Sequence, residues 1–233
     1  MNRQSWQIGL FVALASLFFF SKSYGFDLPK LKKGSGARFE LKLSSGAAEV
    51  AITIADSTSN QVALEYYFKD LSFIGIEMWQ RYHVQPQGKK LKLSDGYVLM
   101  PQFGQTAMKL TPDYLEGFDG VQVSSFMMGS EEELNAHKVA VEKITVPAGT
   151  VEATHYRVKE RGQTIDFWIH ESAKPIGIVK IVSSGKELKH NYTMQLKSLI
   201  QNSSPKIDPK TAGPLTKEAK TFLPKVGTSL MVH

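Results

Sequence analysis

"VPAGTVEATHYRV", residues 146–158, decides how the chain is read. A Pro-Ala-Gly-Thr stretch stands between two apolar runs, with His155 and Tyr156 directly after it. Such a loop is either a phosphate cradle with a histidine beside it or a bend between two strands. A cradle needs a glycine-rich strand-to-helix turn whose backbone amides converge on the anion. Here strand-forming residues follow the glycine, and Pro147 removes one amide. Proline presets φ for the first corner of a turn, and Gly149 accepts positive φ without strain. The loop reads as a bend.

The next hairpin can be registered from its own pattern. Arg161-Gly162 supplies a two-residue turn, with the glycine taking the second positive-φ position. Pairing Glu160 with Gln163 sets Val158 beside Ile165, Tyr156 beside Phe167 and Thr154 beside Ile169. Those side chains form one apolar face. The other face pairs Arg157 with Asp166 and His155 with Trp168, so the histidine is expected to stack on a tryptophan on an exposed interaction face. A three-residue loop would scramble this agreement.

Upstream, the period of two continues. Phe39, Leu41 and Leu43 alternate with Arg38, Glu40 and Lys42; Val50, Ile52 and Ile54 follow, then Val62, Leu64, Tyr66 and Phe68. This is the mark of sheet with one buried and one wet face. Residues 74–84 read as a further strand, and 91–93 and 97–103 as extended segments around Asp95-Gly96. Thr111-Pro112-Asp113 predicts a helical turn over 112–117, with proline in the first turn. Ser130 to Glu133 has capping-box form and predicts a second short helix. Between Lys138 and Val146 the apolar parity switches from Val139/Val141 to Ile144/Val146, which predicts a bulge near Glu142-Lys143. Tyr192, Met194 and Leu196 form the apolar side of the last strand.

Both ends differ in composition. Arg3, the apolar run Ile8–Phe20 and the small residues up to Gly25 read as a cleavable export signal over 1–25. Residues 26–200 read as one antiparallel β domain. Residues 201–233, with prolines 205, 209, 214 and 224 and scattered lysines, read as a flexible tail whose removal leaves stability nearly unchanged. The chain has no cysteine, which excludes disulfides, lipid attachment through cysteine and thiol chemistry. An exported, cysteine-free domain suits a bacterial periplasm, soluble and not lipid-anchored. The net charge is +6; Arg3 and Lys22 leave with the signal, giving +4, and the tail holds five lysines against Asp208 and Glu218, leaving +1 on the body. A near-neutral body argues against a nucleic-acid groove, which needs a dense basic patch.

Catalytic patterns are missing. There is no G-x-S-x-G elbow for a serine nucleophile and no H-x-x-x-H spacing for zinc. His83 and His137 have no discernible partners, His155 and His170 lie two strand-pair steps apart, and His190 reads as a core or rim histidine. The acidic run Glu131–Glu133 is explained by capping. No cofactor, metal or catalytic residue is assigned. The apolar surplus (Phe73, Trp79, Phe103, Phe118, Phe126, Met127, Met128) suits either a greasy site or an ordinary core.

The segments "EKITVPAGTVEATHYRV" and "GQTIDFWIHESAKPIGIVKIVSSG" resemble the TapB-like family of secreted domains of unknown function, through Val146–Thr150, Trp168-Ile169 and His170. The resemblance covers roughly Lys138–Leu199 and extends, more distantly, to the lipoprotein carriers LolA and LolB. It implies an all-β fold with minor α: a single curled antiparallel sheet, or half-open barrel, with one or two short helices. No functional residue of the carriers has a counterpart here. The first expectation is a non-enzymatic periplasmic envelope protein that takes an acyl chain, a lipid or a lipoprotein-like segment in the concave face. The apolar ligand-facing candidates are Tyr156, Val158, Ile165, Phe167, Tyr192 and Met194; His155 and Trp168 are the exposed interaction candidates. The partners to be expected are a lipid or an envelope protein, with peripheral membrane contact allowed. Two other readings stay open: a structural or protein-interaction module with a filled core, and a hydrolase with an unrecognised site.

Overall fold

The computed structural model describes residues 31–44, 46–71, 75–87, 90–119, 135–160, 162–173, 177–186 and 191–223. The export signal and residues 130–134 of the short helix expected to end near Asn135 lie outside the described residues, as do His190, Phe73, Phe126, Met127 and Met128.

Among the described residues, twelve strands form one curled sheet that does not close into a barrel. In chain order they are β1 (Gly36–Leu43), β2 (Gly46–Ser57), β3 (Val62–Asp70), β4 (Glu77–Gln87), β5 (Lys90–Leu99), β6 (Met108–Lys109), β7 (Lys138–Val146), β8 (Gly149–Glu160), β9 (Gln163–Ile169), β10 (Ile178–Gly185), β11 (Tyr192–Ile200) and β12 (Gly213–Pro214). Their order across the sheet is β12-β6-β5-β4-β3-β2-β1-β11-β10-β9-β8-β7. Every pair is antiparallel except β12 with β6. The chain thus builds outward from β1 in one direction and returns to the middle with β11. Sheet edges fall at β12 and β7.

The alternation read from sequence maps onto two faces. The inner face runs through Phe167, Ile181, Met194, Leu41 and Ala48 in successive cross-strand pairs. It continues through Val50, Phe68 and Met78. All are buried in one core cluster. One sheet can surround its own apolar face only by bending. Register shifts at Arg38/Phe39, Ile54/Asp56, His83/Val84 and Ile178/Lys180 supply bends, because an extra residue in one strand increases local twist. The curl is tight enough that Ala148, at the β7–β8 tip, donates to the Leu196 carbonyl of β11 at 3.0 Å.

Two helices and one strap close the other end. Helix α1 (Pro112–Asp119) begins where Thr111-Pro112 predicts and runs two residues beyond 117. It sits on β5 at Gly96, where an added Cβ would meet Leu110, Leu115 and Tyr82 at 3.0 Å.

The tail is the main correction. Residues 201–223 do not hang free; they cross the outer face of β3–β5 and fold around the β6 edge. The Glu65 carboxylate accepts the backbone N–H groups of Lys206 (2.8 Å) and Ile207 (2.9 Å), and Arg81 donates to the Ile207 carbonyl at 2.9 Å. Ile207 is 1% exposed and packs with Tyr97, Leu99 and Ala107. Gly213-Pro214 then pairs with β6, and α2 (Lys217–Phe222), capped by Thr216, puts Ala219 and Leu223 into the main core. Phe222 meets Phe103 at 4.8 Å between ring centres. Prolines and lysines signalled an open coil, but three buried apolar residues, Ile207, Ala219 and Leu223, and a buried carboxylate override that composition.

Burial raises the Glu65 carboxyl above its ordinary value, against the pull of those two backbone N–H groups and of Arg81. Nearby, burial also works to raise Asp95, yet the hydrogen bond and charge of His83 outweigh it and hold the carboxyl below its ordinary 3.8.

Two outcomes follow for stability. Glu65→Ala strips both strap amides of their acceptor and should cost about 1–3 kcal/mol in urea unfolding; removing residues 201–233 should cost more, and an unchanged midpoint would mean the strap is not seated. Asp95 is favoured in its charged form by the fold, so its contribution is present above pH 3.8 and lost as pH falls through the depressed value. Asp95→Asn should therefore flatten the acid limb of a stability–pH profile; an acid limb identical to wild type would contradict the His83 pairing.

Candidate functional site

The two edges of the sheet are treated differently. At one, β6 is covered by β12, whose Pro214 cannot extend the ladder further. At the other, β7 stands last in the sheet with nine residues. The site is built around this strand, which among the described residues pairs on one side only.

The bend at 146–149 forms as expected: Val146 pairs with Gly149, and Gly149 has φ +126°. A two-residue connection makes Val146 and Gly149 a hydrogen-bonded pair, so alternation turns the N–H and C=O of Ile144, Glu142 and Ala140 toward β8. The same alternation aims those of Val141, Lys143 and Thr145 outward, away from the sheet. Their side chains share the inner side with Thr154, Glu152 and Thr150. Val141 is 53% exposed and Val139 50%.

The parity switch in β7 has another cause than the one predicted. Register is continuous from Ala140 to Val146, and the only shift lies between Lys138 and Ala140. No bulge sits at Glu142-Lys143. Val139 and Val141 are instead left on the open rim while Val146 is buried at the tip. An edge strand need not obey the period of a half-buried one.

A polar bracket holds β7 to its neighbours on the outer side. The β8–β9 register is as read from sequence, from Thr154–Ile169 to Glu160–Gln163. His155 stacks on Trp168 with ring centres 4.4 Å apart and planes 16° apart. Its Nε2 lies 2.6 Å from Asp166 Oδ1 and its Nδ1 3.0 Å from Glu142 Oε1. Trp168 Nε1 donates to the same Glu142 oxygen at 2.6 Å, Arg157 Nε donates to Asp166 at 2.7 Å, and Lys180 Nζ lies over the indole at 4.9 Å. Side chains from four consecutive strands are thereby tied together.

This corrects the expected exposed face. His155 is 6% and Trp168 9% exposed, because the carboxylates and Arg157 close over the stack. The pattern gave the pairing; it could not show that Glu142, on a strand beyond the hairpin, would reach both rings. Glu142 is the residue sequence reasoning missed, whereas Asp166 pairs with Arg157 as read and reaches His155 as well.

The ligand-facing candidates come together but are enclosed. Tyr156 and Phe167 stack at 5.3 Å. Tyr156, Val158, Phe167, Tyr192 and Met194 are 0–5% exposed, and Ile165 is half-buried against the same core. They fill the curl and do not line an open hollow. A surface groove of about 520 Å³ lies elsewhere, between the β7–β8 tip and Leu196–Leu199 of β11, and none of the six borders it.

The described contacts of His155 are to the Glu142 and Asp166 carboxylates and to the Trp168 ring. Among the described residues, no group of three His, Asp or Glu side chains is arranged to hold a metal ion. Nor is any helix there long and apolar enough to cross a membrane.

Removing the imidazole leaves Glu142 with only the indole and frees the edge strand on one side. His155→Ala should lower stability by about 1–3 kcal/mol and speed amide exchange at Ala140 and Glu142 before the β1–β3 strands respond. Unchanged exchange on β7 would show that the bracket does not hold the edge.

No protein-family model matches the chain, and no curated protein matches it, so the TapB-like resemblance gains no support. Among solved structures, the chain is similar to MucB in the Pseudomonas aeruginosa MucA/MucB complex, at 10% identity and TM-score 0.41, over 87% of this chain and 63% of that one. It is similar to MucB in complex with MucA(peri) at 11% identity and TM-score 0.39, over 83% and 57%. It is also similar to the protein CT021 of Chlamydia trachomatis at 10% identity and TM-score 0.40, over 80% and 94%. The chain thus spans about 60% of the MucB chains it matches. These likenesses are of overall shape, and no functional residue is carried across from them.

Proposed function

We propose that this protein is a non-enzymatic interaction module of the bacterial envelope that binds another protein at the free edge of β7. The observation that carries the reading is the asymmetry of the sheet: one edge is covered by β12 and the strap, the other presents outward backbone groups beside two half-exposed valines. Unpaired N–H and C=O groups on an edge strand are a template for another strand, and folded proteins ordinarily blunt or cover them. Strand addition uses those main-chain groups for affinity and alternate side chains for selectivity. The export signal read at 1–25 supports an envelope location.

This reading replaces the acyl-chain carrier as the favoured one, because the side chains expected to face a ligand are packed against each other. It also leaves the bracket a role: a rigid edge loses less entropy when a partner pairs with it.

Position-specific photo-crosslinking in the native envelope tests it. A crosslinking residue at Val139 should give a protein adduct, one at Lys69 on central β3 should not, and Val141→Pro, which deletes one outward N–H, should abolish the adduct. Adducts independent of position, or stoichiometric fatty acid in an organic extract of the purified protein, would overturn the proposal in favour of a carrier.

A further inference from the structure

We infer that the partner segment is an extended strand with apolar residues at alternate positions and carboxylates at both ends of the apolar stretch. The inference rests on the edge reading and adds the chemistry of the occupant. The charges on β7 are Lys138, Glu142 and Lys143. The Glu142 carboxylate is already taken by the His155 ring and the Trp168 N–H, on the outer side. What the edge still offers is cationic: Lys138 and Lys143 are exposed, and among the described residues neither forms an ion pair. Glu152 stands across from Lys143 in the β7–β8 register without bridging to it.

The spacing sets the pattern. Val141 and Lys143 are two residues apart and share the inner side, so a paired strand meets an apolar side chain and then a charge on one face. Val139 extends the apolar stretch, and Lys138 bounds it at the far end. Opposite charges directly across a strand pair are favourable and like charges are not. A foreign strand with acidic residues at those two places satisfies both lysines. A second copy of this chain does so poorly: in the antiparallel register that sets Val141 against its own counterpart, Lys143 meets Val139 and no carboxylate faces it. Lysines that merely blunt the edge would make it indifferent to the charge of a partner.

The test uses the intact protein and two short peptides of alternating valine and threonine, bracketed by glutamate or by lysine. Both are N-methylated on alternate residues so that only one edge of each can pair. Fluorescence anisotropy should show the glutamate-bracketed peptide binding at least about three-fold tighter. The preference should weaken with salt and reverse in the Lys138→Glu, Lys143→Glu double variant. Hydrogen exchange of the wild type should slow at Val141, Lys143 and Thr145 on addition of that peptide, a readout that needs no variant to fold. Equal binding of both peptides with those amides protected would overturn the acidic partner and leave the edge reading intact. Binding of either peptide without protection there would overturn the edge reading itself. A concentration-dependent dimer in sedimentation that protects the same amides would make the occupant a second copy and overturn the inference.

Discussion

A single sheet has no second layer to cover it, so its apolar face must be buried by bending the sheet onto itself. Everything else in this molecule answers to that constraint. Ten strands of seven to twelve residues among those described give the sheet enough length to curl, and register shifts spread along it supply the bends. The inner side chains of strands far apart in sequence then fill the same volume. Each fully buried aromatic or aliphatic side chain there contributes roughly 1.5–3 kcal/mol, while backbone polar groups remain paired in the ladder.

Curling without closing leaves two edges, and the chain spends different material on each. One is finished by a strap whose backbone is gripped by Glu65 and Arg81 and whose helix plugs the mouth. The other is stiffened from outside by the His155–Trp168 stack and its carboxylates, yet nothing described pairs with its outward face. A strand that is held in place and still unsatisfied is suited to receive another strand. The functional reading follows from this difference between the two edges of the sheet.

The sheet was legible from sequence because its signal is local and repeated. Phe39, Leu41 and Leu43 alternate with charged residues, and the β8–β9 hairpin announces its register through a two-residue turn and matched pairs on both faces. What stayed hidden depended on distant partners. Ile207 looks like one apolar residue in a polar, proline-containing tail; only the groove beside Tyr97 and Leu99 makes it a core residue. Glu142 looks like a solvent-facing charge on an edge strand; only the fold brings it to two rings of neighbouring strands. The ligand-facing candidates were placed on the correct face, but a face says nothing about whether the space before it is empty.

The central claim is that β7 is an ordered strand paired on one side only. Amide-resolved hydrogen exchange of the free protein tests it most directly. The account predicts slow exchange at Ala140, Glu142 and Ile144, and fast exchange at their neighbours Val141, Lys143 and Thr145, while the covered strands β1 to β3 stay protected throughout. Equal protection of both sets would mean that the edge is already covered, and equal exposure would mean that it is not a held strand; either contradicts the account.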